Sequence, residues 1–121
     1  MKRTFIHSSI FDSEWKMQKY SDMLLRDIQE ELSKNPTCGD IIQSTNGIRK
    51  ARFATPGSGK SGGIRIFYLD VPEFEHTHLL HIIKKGEKEN LLKDERNSLA
   101  KIVISIKQAY QRRKHEKKDI V

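Results

Sequence analysis

Residues 48–69 read IRKARFATPGSGKSGGIRIFYL. Two runs of β-branched, aromatic and alternating residues flank a glycine-rich segment. Sequential strands with so short a connection pair as an antiparallel hairpin. Side chains alternate across a strand, so Ala51 and Phe53 share one face while Lys50 and Arg52 share the other. In the second run Ile64, Ile66 and Tyr68 lie together, and Arg65 falls with Phe67. If both apolar sets pack on helices, Lys50, Arg52 and Arg65 converge on an open sheet face. Lys60 hangs above it on the turn, and Phe67 either stacks on a base or covers the sheet.

The rest of the chain supplies the helices. Residues 3–10 alternate loosely and predict a short strand. Asp12 or Ser13 is placed to cap a first helix ending near Lys19. Ser21 caps a second, in which Leu24, Leu25, Ile28 and Leu32 recur at helical spacing until Asn35-Pro36 stops it. After a turn at Val71-Pro72-Glu73, residues 77–84 predict another strand. Asp94 and Glu95 sit where a helix start favours acids, and Leu99, Ile102, Val103, Ile106 and Tyr110 form one apolar stripe. The order β-α-α-β-β-β-α predicts one α+β domain over residues 1–121. Its sheet is small and antiparallel, with an N-terminal helical hairpin and a C-terminal helix on one face, and 112–121 form a basic tail.

The charge balance points outward. The 121 residues carry 23 Lys and Arg against 16 Asp and Glu, a formal net charge of +7. Between Asp40 and Asp70 there is no acid, yet Arg49, Lys50, Arg52, Lys60 and Arg65 lie there. Cations so crowded need compensation from outside the chain. A cationic sheet with an aromatic suits single-stranded RNA, and neutralising about four phosphates gives a salt slope near −3.

Other classes fall away. No apolar run approaches the roughly 20 residues of a membrane span, and the N-terminus lacks the apolar core of a signal peptide, so the cytoplasm is expected and no membrane partner. The lone Cys38 cannot form an internal disulfide or a cysteine zinc cage, and its neighbours supply no base. Gly59-Lys60-Ser61 suggests a phosphate-binding P-loop, but the motif's first glycine is Ala54 and a strand follows instead of a helix. His76, His78 and His81 offer acid–base or metal chemistry, with polar strand positions the simpler reading. No metal or cofactor is expected.

The same central stretch carries a resemblance. Residues 39–52, GDIIQSTNGIRKAR, and 57–68, GSGKSGGIRIFY, resemble the pattern of RelE/HigB-like toxins of bacterial type II toxin–antitoxin systems. That pattern runs G-D-x-I-x-G-T-x-G-L-R-K-x-R and then G-x-G-K-x-G-G-x-R-x-x-Y. Residues 85–91, KGEKENL, are similar to the family's K-x-E-x-x-D-L segment. Lys60 and Arg65 match its most characteristic cations, Arg49, Lys50 and Arg52 its R-K-x-R string, and Lys85 its late lysine. Ile83 stands where the family often has tyrosine, Lys84 where a glycine is common, and Ser44 replaces another glycine.

The resemblance implies a ribosome-dependent endoribonuclease that cuts mRNA and halts translation. It also implies a cognate antitoxin, a helix-turn-helix DNA-binding protein through which alone operator DNA would be met. Such cleavage needs no metal. The 2′-OH attacks the neighbouring phosphorus, and fixed cations align the groups and stabilise the phosphorane. In this scheme Arg65 clamps the scissile phosphate, Lys60 or Lys50 is the base or a second phosphate donor, and Arg52 holds the backbone or the phosphorane. Lys85 protonates the leaving group or meets ribosomal RNA, and Arg49, Phe67 and Lys84 contribute RNA contacts. Two other readings stay open: a non-catalytic RNA- or ribosome-binding module, and a toxin like the related ParE branch, directed at gyrase.

Overall fold

The computed structural model describes residues 3–56, 63–84, 86 and 90–119. Five strands form one sheet in the order β1-β5-β4-β3-β2: β1 Thr4–His7, β2 Asp40–Ile41, β3 Arg49–Phe53, β4 Ile64–Val71 and β5 His76–Lys84. The helices are α1 Ser9–Met17, α2 Asp22–Lys34 and α3 Lys93–Asp119, with a single 3-10 turn at Pro72–Phe74. The α+β class and the expected hairpin stand. Lys50 pairs with Phe67, and Arg52 with Arg65, across β3 and β4.

Four local expectations give way. The sheet is mixed, because β1 runs parallel to β5 in a pairing that joins residues more than 70 positions apart. A buried ion pair, Arg3 to Asp70 at 2.7 Å, fixes the entry to that strand. The cap of α1 is Ser8, not Asp12 or Ser13: its hydroxyl accepts from the Phe11 amide at 2.9 Å and donates to the Leu80 carbonyl at 2.8 Å. One residue thus ends β1, starts α1 and ties both to β5. Ser21 caps α2 as expected, accepting from Leu24 N–H at 3.1 Å. The short strand β2 had no sequence signal, and residues 112–119 continue α3 as helix.

The fourth correction bears on function: the helices do not share one face. Phe11, Trp15, Ile28 and Leu32 of α1 and α2 pack with Phe53, Ile64, Ile66 and Tyr68 on one side of the sheet. Leu99 and Val103 of α3 pack with Ile48, Phe67, Leu69, Leu80 and Ile83 on the other. Residues 64–69 are therefore buried on both faces, which explains their nearly unbroken apolar character. Burying a side chain the size of Phe67 or Leu99 contributes about 2 kcal/mol. The apolar stripe of α3 needed such a face, and only this one remained.

A register shift opposite Phe67 and Tyr68 marks a bulge in β5. It breaks strict alternation, so Leu79 and Ile82 both face α1 and α2, while Leu80 and Ile83 face α3. His81 sits at the irregularity.

Candidate nucleic-acid interface

The edge strand β2 pairs only with Arg49 and Lys50. Among the described residues, positions 51–53 of β3 carry no strand on that side. The gap opens as a cleft of about 480 Å³, whose walls include Lys50, Arg52 and Arg65 with Glu31, Cys38 and Asp40. Parity delivers the three cations as read from the sequence: all lie on the α3 side of the sheet, at the end where β3 and β4 run past β2.

Two glycines permit the close approaches around this cleft. A Cβ on Gly39 would stand 2.7 Å from the Lys50 carbonyl oxygen, so only glycine lets the 38–40 segment close on β3. Gly63 enters β4 at φ +113°, and a Cβ there would collide with the Phe53 carbonyl oxygen. Tyr68 anchors the same segment from below. Its buried hydroxyl donates to the Pro36 carbonyl at 2.8 Å and accepts from Gly39 N–H at 3.0 Å, and burial pushes the phenol pKa well up. Ser44, which stands where the resembled pattern has glycine, adopts φ +64°, the left-handed conformation that glycine takes without strain.

The electrostatics of the cleft are unbalanced. Arg65 is only 6% exposed, yet among the described residues neither it nor Arg52 is ion-paired. Lys50 is held by a neutral group, its ammonium donating to Asn90 Oδ1 at 2.8 Å. A buried guanidinium without a carboxylate is costly, and a bound anion would offset that cost. Glu31 and Asp40 line the cleft without ion-pairing to these three. They temper the field and supply acceptors at its edge.

Several expected members lie elsewhere. Arg49 falls on the α1/α2 parity and donates to the backbone carbonyls of Gly39 at 2.7 Å and Thr37 at 3.4 Å, so it holds the loop. Phe67 is fully buried beneath α3 with its ring beside His81, so its face is not free to stack on a base, and the supposed open face is half covered. Lys84 is exposed at the end of β5, opposite Ile64 and in the parity of Ile82, on the face away from Arg65. Lys60 and Lys85 lie outside the described residues.

The histidines separate into two sites, neither in the cleft. Rings of His76 and His78 each stand 2.7 Å from the Tyr110 hydroxyl. His81 Nδ1 meets Glu14 Oε1 at 2.9 Å, and the same carboxylate oxygen accepts from Ile82 N–H at 3.1 Å. Among the described residues no three His, Cys, Asp or Glu side chains gather as a metal site. No helix among them is long and apolar enough to cross a membrane.

Sequence reasoning missed Glu31, Asp40 and Asn90. Asn90 had a signal, since it occupies the aspartate position of the K-x-E-x-x-D-L segment. Glu31 had none, because helical periodicity reports only that it faces away from the core.

No family model matches the chain. Among solved structures the chain is similar to a double mutant of the E. coli toxin RelE in the free state. That match has a TM-score of 0.54 at 16% identity, covering 86% of this chain and 99% of that one. It is similar to a chain of the intact E. coli RelBE toxin–antitoxin complex, with TM-score 0.51, 15% identity and coverage of 72% and 100%. It is also similar to the isolated E. coli RelE toxin in its P21 form, with TM-score 0.51, 13% identity and coverage of 84% and 99%. At such identities the shared property is the fold, and it spans nearly the whole length of each of these proteins.

Proposed function

We propose that this chain is the toxin of a type II toxin–antitoxin pair, an endoribonuclease that cuts mRNA on the ribosome. The observation that carries the reading is Arg65: a strand arginine only 6% exposed, without a carboxylate partner among the described residues, in one cleft with Arg52 and Lys50. A strand-borne cation in that state is organised for an anion before the anion arrives, which is what stabilising a phosphorane demands. The RelE fold and the matching central motif agree with it.

In the proposed step the 2′-OH of one nucleotide loses its proton and attacks the adjacent phosphorus. The P–O5′ bond breaks, leaving a 2′,3′-cyclic phosphate and a 5′-hydroxyl. Arg65 grips the non-bridging oxygens, and Arg52, its cross-strand neighbour, takes up the charge gained in the phosphorane. Lys50 or Lys60 takes the 2′-OH proton or donates to the phosphate, with Glu31 a second acceptor at the cleft wall. Lys85 protonates the 5′ oxygen or contacts ribosomal RNA. An antitoxin with a helix-turn-helix DNA-binding part would cover the surface and alone reach operator DNA.

Primer extension on mRNA in a translating extract tests the reading. New 5′-hydroxyl ends with the wild-type chain and none with Arg65→Met support it. RNA or ribosome binding without cleavage in that extract overturns it in favour of a non-catalytic module. Intact mRNA with inhibited supercoiling overturns it in favour of a gyrase-directed toxin.

A further inference from the structure

The Lys50–Asn90 hydrogen bond is also a partition. On its far side from Arg52 and Arg65 lies a second hollow of about 340 Å³, which shares Lys50 and Asp40 with the cationic cleft. Its apolar lining is Ile41, which is 59% exposed, Ile42, Leu91 and the buried Phe67. The other half of its lining is polar, and beside Lys50 its groups differ in sense. Asp40 offers a carboxylate, Arg96 a guanidinium, and Asn90 its amide –NH2, since its oxygen already accepts from Lys50. Asp40 and Arg96 line the same hollow, yet among the described residues they form no ion pair with each other.

We propose that this second hollow seats a nucleobase bearing an exocyclic amine, next to the phosphate held in the cationic cleft. The inference rests on the RNA-cutting reading and adds the substrate feature that the enzyme selects. A nucleobase is a flat body with two apolar faces and a polar edge, and the hollow pairs apolar walls with a polar rim. Adenine, cytosine and guanine each place an amine beside an acceptor atom. The amine donates to Asp40, as carboxylates accept from amino groups of bases, and the neighbouring acceptor meets Arg96 or Asn90. Uracil carries carbonyl oxygens on both sides of its N3–H, and one of them would face the Asp40 carboxylate. Two unlike charges held apart in one hollow leave room for a ligand edge carrying both a donor and an acceptor.

Amide-shift titrations of the full chain by NMR separate this inference from the reading beneath it. The probes are ribose 5-phosphate, UMP, CMP, AMP and GMP. Ribose 5-phosphate is expected to move the amides of Lys50, Arg52 and Arg65. CMP, AMP and GMP are expected to move those of Ile41, Leu91 and Arg96 as well, and to bind about fivefold or more tightly than UMP. Asp40→Asn is expected to bring UMP level with CMP and, because it also takes a negative charge from the wall of the cationic cleft, to tighten ribose 5-phosphate and all four nucleotides by a common factor. Equal binding of all four nucleotides and ribose 5-phosphate, with no shift around Leu91 and Arg96, would overturn the base site and leave the phosphate cleft standing. Equal shifts there from UMP and CMP would overturn the selection of an amine. No shift of Lys50, Arg52 or Arg65 with any probe would remove the underlying reading and this inference with it.

Discussion

Arg52 and Arg65 are direct cross-strand partners, so two cationic residues stand opposite each other on one face of the β3–β4 pair. Like charges so placed oppose pairing, and Arg65 is also largely desolvated. Folding energy alone does not explain that choice; the proposed phosphate contact would. Replacing a buried ion by an apolar side chain of similar length is commonly neutral or stabilising, by about 1 kcal/mol or more. Arg65→Met is therefore expected to raise the melting temperature by about 4 °C and to lower RNA cleavage by about 100-fold or more. Thermal unfolding and primer extension on one preparation read both. A fall in melting temperature together with the lost activity would make Arg65 a structural residue.

Arg52 is the more exposed of the two and its contribution is electrostatic. Each phosphate neutralised on a single strand contributes about 0.7 to the slope of log K against log salt. Arg52→Ala is expected to make that slope shallower by about 0.7 while weakening binding to all sequences alike. Fluorescence anisotropy of a short labelled RNA over a salt series measures it, and an unchanged slope would place Arg52 outside the interface.

The wall that brings Asp40 to the cleft hangs on the Tyr68 hydroxyl, through Gly39 N–H and the Pro36 carbonyl. Tyr68→Phe leaves that donor and that acceptor without a partner at a fully buried position. The expected cost is about 1–3 kcal/mol, read as a lower midpoint in urea with an unchanged slope. Activity is expected to fall further than stability explains, because Asp40 and Cys38 lose their fixed distance from Arg52. Wild-type stability in this variant would show that the loop is held by Arg49 alone.

The features legible in the sequence were those set by local rules. Parity put Lys50, Arg52 and Arg65 on one face, and a helical stripe with a good cap marked α2. What escaped needed long-range information. The pairing of β1 beside β5 joins distant segments, and β2 is two residues long, below any periodic signal. Phe67 carried the information that its face was covered, since residues 64–69 are apolar on both parities apart from Arg65. A strand with two apolar faces needs two layers of helix, and α3 supplied the second. Arg65 is the exception on that strand, and the exception marked the site.

His76 and His78 share one hydroxyl, that of Tyr110, at 2.7 Å each, and this junction fastens the middle of α3 to β5. A hydroxyl donates one proton, so one imidazole accepts it and the other donates its own N–H to the oxygen. Burial, and then the neighbouring His76, lower the pKa of His78 below its ordinary value of 6.5. Arg113 and Lys114 of α3 add positive charge on that side, and Glu73, opposite, is engaged by Lys114. The folded-state pKa lies below the unfolded one, so as pH falls the unfolded chain takes up the proton first. The stability this gives is present above about 6.5 and is lost as pH falls through the folded value. The melting temperature is expected to decline below about pH 6.5 in the wild type, and His78→Gln, which keeps a hydrogen bond to the hydroxyl, is expected to flatten that decline. A variant that retains the full slope would show that His78 does not carry the decline.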